Sequence, residues 1–182
     1  MNKQSGFTLI ELMTGLLVVG ILFTVGIPAF SATIKNNRLA GEVNRFVAHL
    51  QIARSEAIKR GQPVNICRSN NAATCGGAQK TYHDGWLLYT SSARDTNYVA
   101  GTDELLQIGD AATTNISIRS NAPGNQWLSF SPSGFLDEDS AAQYVFCADG
   151  ESTAAVPGRL LTISISGYQR LTELAAGASC TL

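Results

Sequence analysis

The stretch "SGFTLIELM", Ser5 to Met13, decides how this chain is read. A short polar leader gives way to an apolar run, and one carboxylate, Glu11, sits just inside that run. From Leu12 to Phe30 no residue is charged. That is about 19 residues, enough to cross a hydrocarbon core as a helix. A carboxylate at membrane depth is costly and normally has a partner, so Glu11 is the residue that needs a reason.

Three readings of the segment compete. A secretory signal accounts for Lys3, an apolar core and Ala29-Phe30-Ser31 as a small-x-small cleavage site. The run is too long for that, and Glu11 spoils its start. A plain membrane anchor accounts for the length but leaves Glu11 idle. Its orientation is also weakly specified, with Lys3 on one side and Lys35 and Arg38 just beyond the other. Cleavage between Gly6 and Phe7 supplies the partner. The new amine lies at membrane depth, and Glu11 follows four residues later. A carboxylate there compensates an amine, its own or that of a neighbouring subunit, and also suits a helix N-terminus. Gly6 gives a protease an unhindered backbone.

Beyond Phe30 the composition turns mixed and globular. The whole chain has 182 residues, a formal net charge of −1, 45% hydrophobic and 15% charged residues. This fits one domain plus an appendage, with no global field that selects a polyanion. The apolar run holds Gly15, Gly20, Gly26 and Pro28, and a kink is expected at Pro28. Past it, Leu39, Val43, Phe46, Val47, Leu50, Ala53, Ala57 and Ile58 recur at three- and four-residue steps, one face of a helix. Arg38, Glu42, Arg45, Arg54, Glu56 and Lys59 occupy the other sides and read as its solvated surface. Glu56 and Arg60 form an i to i+4 pair, and Gly61 with Pro63 ends the helix near Arg60.

From Pro63 the signals are those of strands: Val64 to Arg68, Gly85 to Thr90, Leu105 to Ile108, Ile116 to Arg119, Trp127 to Phe130, Tyr144 to Cys147, Leu160 to Ser166 and Tyr168 to Thr172. Asp84-Gly85, Pro123-Gly124, Pro132-Ser133-Gly134 and Pro157-Gly158 separate them. "LTISIS" alternates as a half-buried strand does. An amphipathic helix on antiparallel strands makes an α+β domain, with Trp86 and Trp127 as core residues.

The four cysteines, Cys67, Cys75, Cys147 and Cys180, all lie beyond the apolar segment. An even number on the far side of an anchor reads as two disulfides in an oxidising compartment. Three connectivities are open, and pairing of nearest neighbours gives Cys67 with Cys75 and Cys147 with Cys180. Zinc is disfavoured, because there is no C-x-x-C pair and His49 and His83 fit no ligand pattern. No P-loop, dinucleotide fingerprint, H-E-x-x-H or G-x-S-x-G is present. His83 beside Asp84 is a loop pair, and Asp137-Glu138-Asp139 is a solvated turn without the spacing of a calcium loop. No catalytic residue and no cofactor are expected.

Gly6-Phe7-Thr8-Leu9-Ile10-Glu11 resembles the type III signal of type IV pilins and type II secretion pseudopilins. The resemblance implies that a prepilin peptidase cuts after Gly6 and methylates Phe7, and that Glu11 guides the subunit into a growing filament. "LQIARSEAIKRGQPVNICRS", Leu50 to Ser69, resembles the helix-end and first-strand signature of the GspH/FimT branch. "DGWLLYT" (Asp84 to Thr90) and "FSPSGF" (Phe130 to Phe135) resemble its later blocks. The cysteines and the longer C-terminal part are most similar to FimU/FimT-like minor pilins.

The implied organisation is a leader over residues 1–6, a transmembrane or filament-core helix over 7–30, an amphipathic helix over 31–61 and a β-rich domain over 62–182. Together these are the type IV pilin fold. Unwinding around Gly20 to Pro28 inside a filament is implied too. So is a place in the inner membrane with the globular domain in the periplasm, and later in an extracellular pilus. The implied partners are prepilin peptidase, other minor and major pilins, and inner-membrane lipid. A type II secretion pseudopilin is the alternative machine. A third class is DNA uptake, through a G-R-x-R-like motif near the C-terminus. Here Gly167 and Arg170 match it, but Tyr168 replaces the first arginine. One cation fewer weakens phosphate binding. Arg159 on the neighbouring strand is a candidate replacement, and an exposed Tyr168 could stack on a base. The simpler reading is an ordinary hairpin with one surface arginine.

Overall fold

A computed structural model describes residues 6–76, 81–91, 97–121, 127–137 and 141–182, with backbone alone for 24–29. Its first element is a single helix, α1, Leu9–Arg60. Thr8 starts it: the residue is extended, and its Oγ1 accepts the N–H of Glu11 at 3.3 Å, satisfying one of the orphan donors of the first turn. Glu11 lies in that first turn and Lys59 and Arg60 in the last, each matching the local sign of the helix dipole. Gly61 ends it in the left-handed conformation (φ 65°), its N–H bonded to the Ala57 carbonyl. The helix continues through Pro28. The two expected halves, 7–30 and 31–61, join in this one long helix, because a proline removes one donor while the flanking turns keep theirs. The side chain of Pro28 lies outside the described residues, as do Lys3, Pro123-Gly124, Glu138 and Asp139.

The strands are β1 Val64–Arg68, β2 Trp86–Thr90, β3 Glu104–Gly109, β4 Ile116–Ser120, β5 Trp127–Phe130, β6 Ala142–Ala148, β7 Arg159–Ile163 and β8 Gln169–Glu173. They form two antiparallel sheets. Sheet A has the order β3-β2-β1-β5 and sheet B the order β4-β6-β7-β8. The expected strand 160–166 stops at Ile163. The Ser164 N–H bonds the Tyr168 carbonyl and the Gly167 N–H bonds the Ser164 carbonyl, which closes a turn and leaves Ile165 exposed.

Leu39, Val43, Phe46, Leu50, Ala53 and Ala57 form the buried stripe of α1. Phe46 sits where helix and both sheets meet. Its ring centroid is 5.0 Å from that of Trp86 (sheet A) and 4.7 and 5.7 Å from those of Tyr144 and Phe146 (sheet B). Offset and edge-on aromatic pairs of this kind add to the burial energy. By contrast Phe7, just before α1, and Leu9, Ile10, Leu12, Leu16, Leu17 and Phe23, on its N-terminal half, are all exposed.

The outward faces of both sheets are covered too. On sheet A, Cys67, Leu87 and Tyr89 pack with Cys75, Tyr98, Leu105 and Trp127. On sheet B, Val145 and Cys147 pack with Cys180, Leu160 and Leu174. Disulfides hold each cover: Cys67–Cys75 with Cα atoms 5.6 Å apart, and Cys147–Cys180 with 6.2 Å. This explains why β1 and β2 are buried at every position rather than alternating. Trp127 accordingly belongs to the outer cluster, half-buried, while Trp86 lies in the main core.

Candidate functional site

The N-terminal end of α1 brings Gly6, Phe7, Thr8 and Glu11 together. Gly6 to Thr8 precede the helix, and Phe7 is 84% exposed. The Gly6–Phe7 bond thus lies in non-helical backbone, open to approach. Glu11 is exposed as well, in the first turn of the helix. The Thr8 cap uses the backbone N–H of Glu11 and leaves its carboxylate out of that bond. Thr14 Oγ1 donates back to the Ile10 and Glu11 carbonyls at 3.0 and 3.1 Å, so the hydroxyl of this apolar turn is satisfied internally. Among the described residues no helix is long and apolar enough to cross a membrane; the expected span, 7–30, includes six residues whose side chains lie outside that set.

The distal end carries the β7–β8 hairpin. Tyr168 is 67% exposed and Arg170 is exposed. Arg159 does not join them. It faces Glu173 in the register, whereas Arg170 faces Thr162. Three residues separate the two sites along β7, about 10 Å, and odd spacing puts the side chains on opposite faces of the sheet. Arg159 instead pairs with Glu173 at 3.1 Å and donates to the Pro157 carbonyl at 2.9 Å. Gly167 has a local reason to be glycine: φ is +76°, and a Cβ there would lie 2.6 Å from the Gly134 carbonyl oxygen. Arg54 holds this tip to α1, donating to the carbonyls of Gly167 and Ser166 at 3.2 and 3.1 Å.

Arg54 is thus not merely solvated surface, and neither is Glu42. The latter is 7% exposed, pairs with Arg45 at 2.5 Å and accepts from the N–H and Oγ1 of Thr113 at 2.9 and 2.6 Å. Helix periodicity could not reveal this, because the partner comes from a loop 71 residues away. Beside it, the Arg45 guanidinium lies 4.8 Å from the Trp86 ring centroid, and Trp86 Nε1–H donates to His49 Nδ1 at 2.8 Å. Partial burial, then the Arg45 charge, pull the His49 pKa down, with Asp110 opposing them. Elsewhere, His83 Nε2 is 3.9 Å from the Asp84 carboxylate. Among the described residues no cluster of three or more His, Cys, Asp or Glu side chains is arranged to hold a metal ion.

The comparisons with known proteins agree with this architecture. The family model described as "Type II transport protein GspH" matches residues 42–167, and the "Prokaryotic N-terminal methylation motif" matches residues 1–27. "Type II secretion system protein H" of Escherichia coli (strain K12) is 40% identical over 77 residues, 40% of this chain and 43% of that protein. "Prepilin peptidase-dependent protein D" of the same organism is 36% identical over 61 residues, 34% of this chain and 42% of that protein. The matches thus span less than half the length of either curated relative. A crystal structure of the type IV minor pilin FimU of Pseudomonas aeruginosa (strain PAO1) aligns with a TM-score of 0.57 at 22% identity, covering 83% of this chain and 98% of that one. That likeness concerns the fold, a helix packed on antiparallel sheets. With most of its length matched by the family model and the methylation motif at its head, this chain belongs to the GspH family of pilin-like proteins.

Proposed function

We propose that the protein is a minor pilin of a type IV pilus, cut by prepilin peptidase between Gly6 and Phe7 and helping to prime or join pilus assembly at or near the tip. One observation carries this reading. The apolar half of α1 leaves the domain with its side chains exposed and ends in an open Gly6–Phe7 bond, with Glu11 in the first helical turn. Such a surface needs lipid before assembly and neighbouring helices after it. The proposed location is therefore the inner membrane with the domain in the periplasm, then the filament. Other minor and major pilins are the proposed partners.

The test is mass spectrometry of protein recovered from sheared filaments. The expected N-terminus is Phe7 carrying one methyl group. An N-terminus at Ala32 would mean ordinary signal cleavage and would sink the reading.

A second reading, the type II secretion pseudopilin, is favoured by the local 40% identity to the secretion protein of Escherichia coli. The same physics serves either machine. Deleting the gene separates them: loss of surface pili with secretion intact supports the pilus, and the reverse supports the secretion system. For DNA uptake through Arg170 and Tyr168, the candidate second cation, Arg159, is instead engaged by Glu173.

A further inference from the structure

We propose that His49 is an acid-sensitive latch: its neutral imidazole ties α1 to sheet A, and its protonation releases that tie. The indole N–H of Trp86 can only donate. Its 2.8 Å bond to His49 Nδ1 therefore fixes the imidazole as neutral, with the proton on Nε2. Taking up a second proton would convert Nδ1 from acceptor to donor and oppose two N–H groups. The Trp86 side chain has little freedom to turn away. It is fully buried, stands edge-on to Phe46 at 5.0 Å, and lies against Gly109 with no room for even a Cβ between them.

The charges around His49 make protonation costly. From α1, Arg45 sits over the same indole, so a second cation would arise beside the first. Glu42 already pairs with Arg45 and is bonded to Thr113. From the connection between β3 and β4, residues 110–115, the Asp110 carboxylate favours the charged form but is outweighed by burial and Arg45. Strand β2 contributes Trp86, whose indole bonds the imidazole. That connection also carries the chain from β3 of sheet A to β4 of sheet B. The latch thus sits between the helix and sheet A, next to the connection that leads on to sheet B.

The direction with pH follows from the depressed pKa. Stability due to neutral His49 is fully present above the unfolded-state value, about 6.5, and is lost as pH falls through the lower folded-state value.

The test uses the full chain in detergent micelles, melted at a series of pH values from about 8 down to 5. Wild type should lose melting temperature through the lower part of this range. His49→Gln should show a flatter profile, because its side-chain oxygen still accepts the indole N–H but takes up no proton. Proton NMR of the wild-type imidazoles, with His83→Gln to assign the two histidines, should find His49 titrating below the ordinary histidine range. In Trp86→Phe it should move back up. A pH profile in His49→Gln identical to that of wild type, or wild-type His49 titrating in or above the ordinary range, would overturn the proposal. The NMR measurement needs no substitution at the latch, so a poorly folding variant leaves it decidable.

Discussion

Replacing Glu11 by valine or glutamine is expected to leave the protein folded, inserted and cleaved, and to remove it from filaments. The domain is unaffected because its buried stripe begins at Leu39, far along α1 from Glu11. The helix start is also kept, since Thr8 caps through the backbone N–H of residue 11 and not through its carboxylate. Membrane insertion improves if anything, because a costly charge is gone. Cleavage persists with Gly6 intact. On the proposed function, what would be lost is the counter-charge for an N-terminal amine entering an apolar filament core. An unpartnered buried charge costs about 3–5 kcal/mol, more than a hundredfold in an equilibrium. The measurement is pilus number and subunit recovery in sheared filaments, at matched membrane levels of variant and wild type. Normal incorporation would remove the docking role for Glu11. Disappearance from the membrane would show that the carboxylate serves stability instead.

Removing the Cys147–Cys180 disulfide, as Cys147→Ser with Cys180→Ser, is expected to destabilise the domain more than removing Cys67–Cys75. The first closes a loop with a sequence separation of 33, the second one of 8. Chain-entropy arguments give about 3–4 kcal/mol for the long loop and about 2–3 kcal/mol for the short one. Local bonding widens the gap. The short loop is also held by the Gly76 N–H on the Arg68 carbonyl (2.9 Å) and by Ser69 Oγ on the Thr74 carbonyl (2.7 Å). The tail near Cys180 covers Val145, Leu160 and Leu174, which its release would wet. A fall in melting temperature of roughly 10 °C is expected for the long-loop variant. Peptide mapping of the periplasmically expressed wild type should find the two pairs uncrossed and no free thiol. Equal losses for the two variants would refute the ranking.

The parts of this fold that were legible in the sequence are those set by local chemistry. The cap signals around Gly61, the three-and-four spacing from Leu39 to Ala57 and the turn residues between short β-branched runs each act over a few neighbours. The helix end and the strand positions follow from them. The rest depends on register and on distant partners. Nothing near Arg159 says that it will face Glu173 rather than Arg170; only the strand pairing does. Glu42 has the spacing of a solvated residue and is buried because Thr113 arrives from another part of the chain. Alternation in "LTISIS" is kept by Leu161, Thr162 and Ile163, whereas the cover that Cys67–Cys75 and Cys147–Cys180 fold onto the outer faces had no local signal. At the N-terminal site the sequence named Gly6, Phe7 and Glu11, while the role of Thr8 needed coordinates, because a cap is recognised by its dihedral angles and its bond.

The way the domain is fastened to α1 also has a mechanical meaning. Near the proximal end of the packed region, Lys35 pairs with Asp149 at 2.7 Å and Asn36 donates to the Ala155 carbonyl at 3.0 Å. Near the distal end, Arg54 grips the hairpin tip. From Asn36 to Arg54 the helix rises about 27 Å, and the aromatic joint at Phe46 lies between. Tension along the rod therefore loads the two grips and the joint together, in shear, instead of peeling them one after another. Sliding the domain by even one helical residue, about 1.5 Å, disturbs the Lys35, Asn36 and Arg54 fastenings together while Phe46 meets the walls of its aromatic socket. On the proposed function, a pull transmitted through α1 would carry the globular domain with it, held at both ends of the packed region.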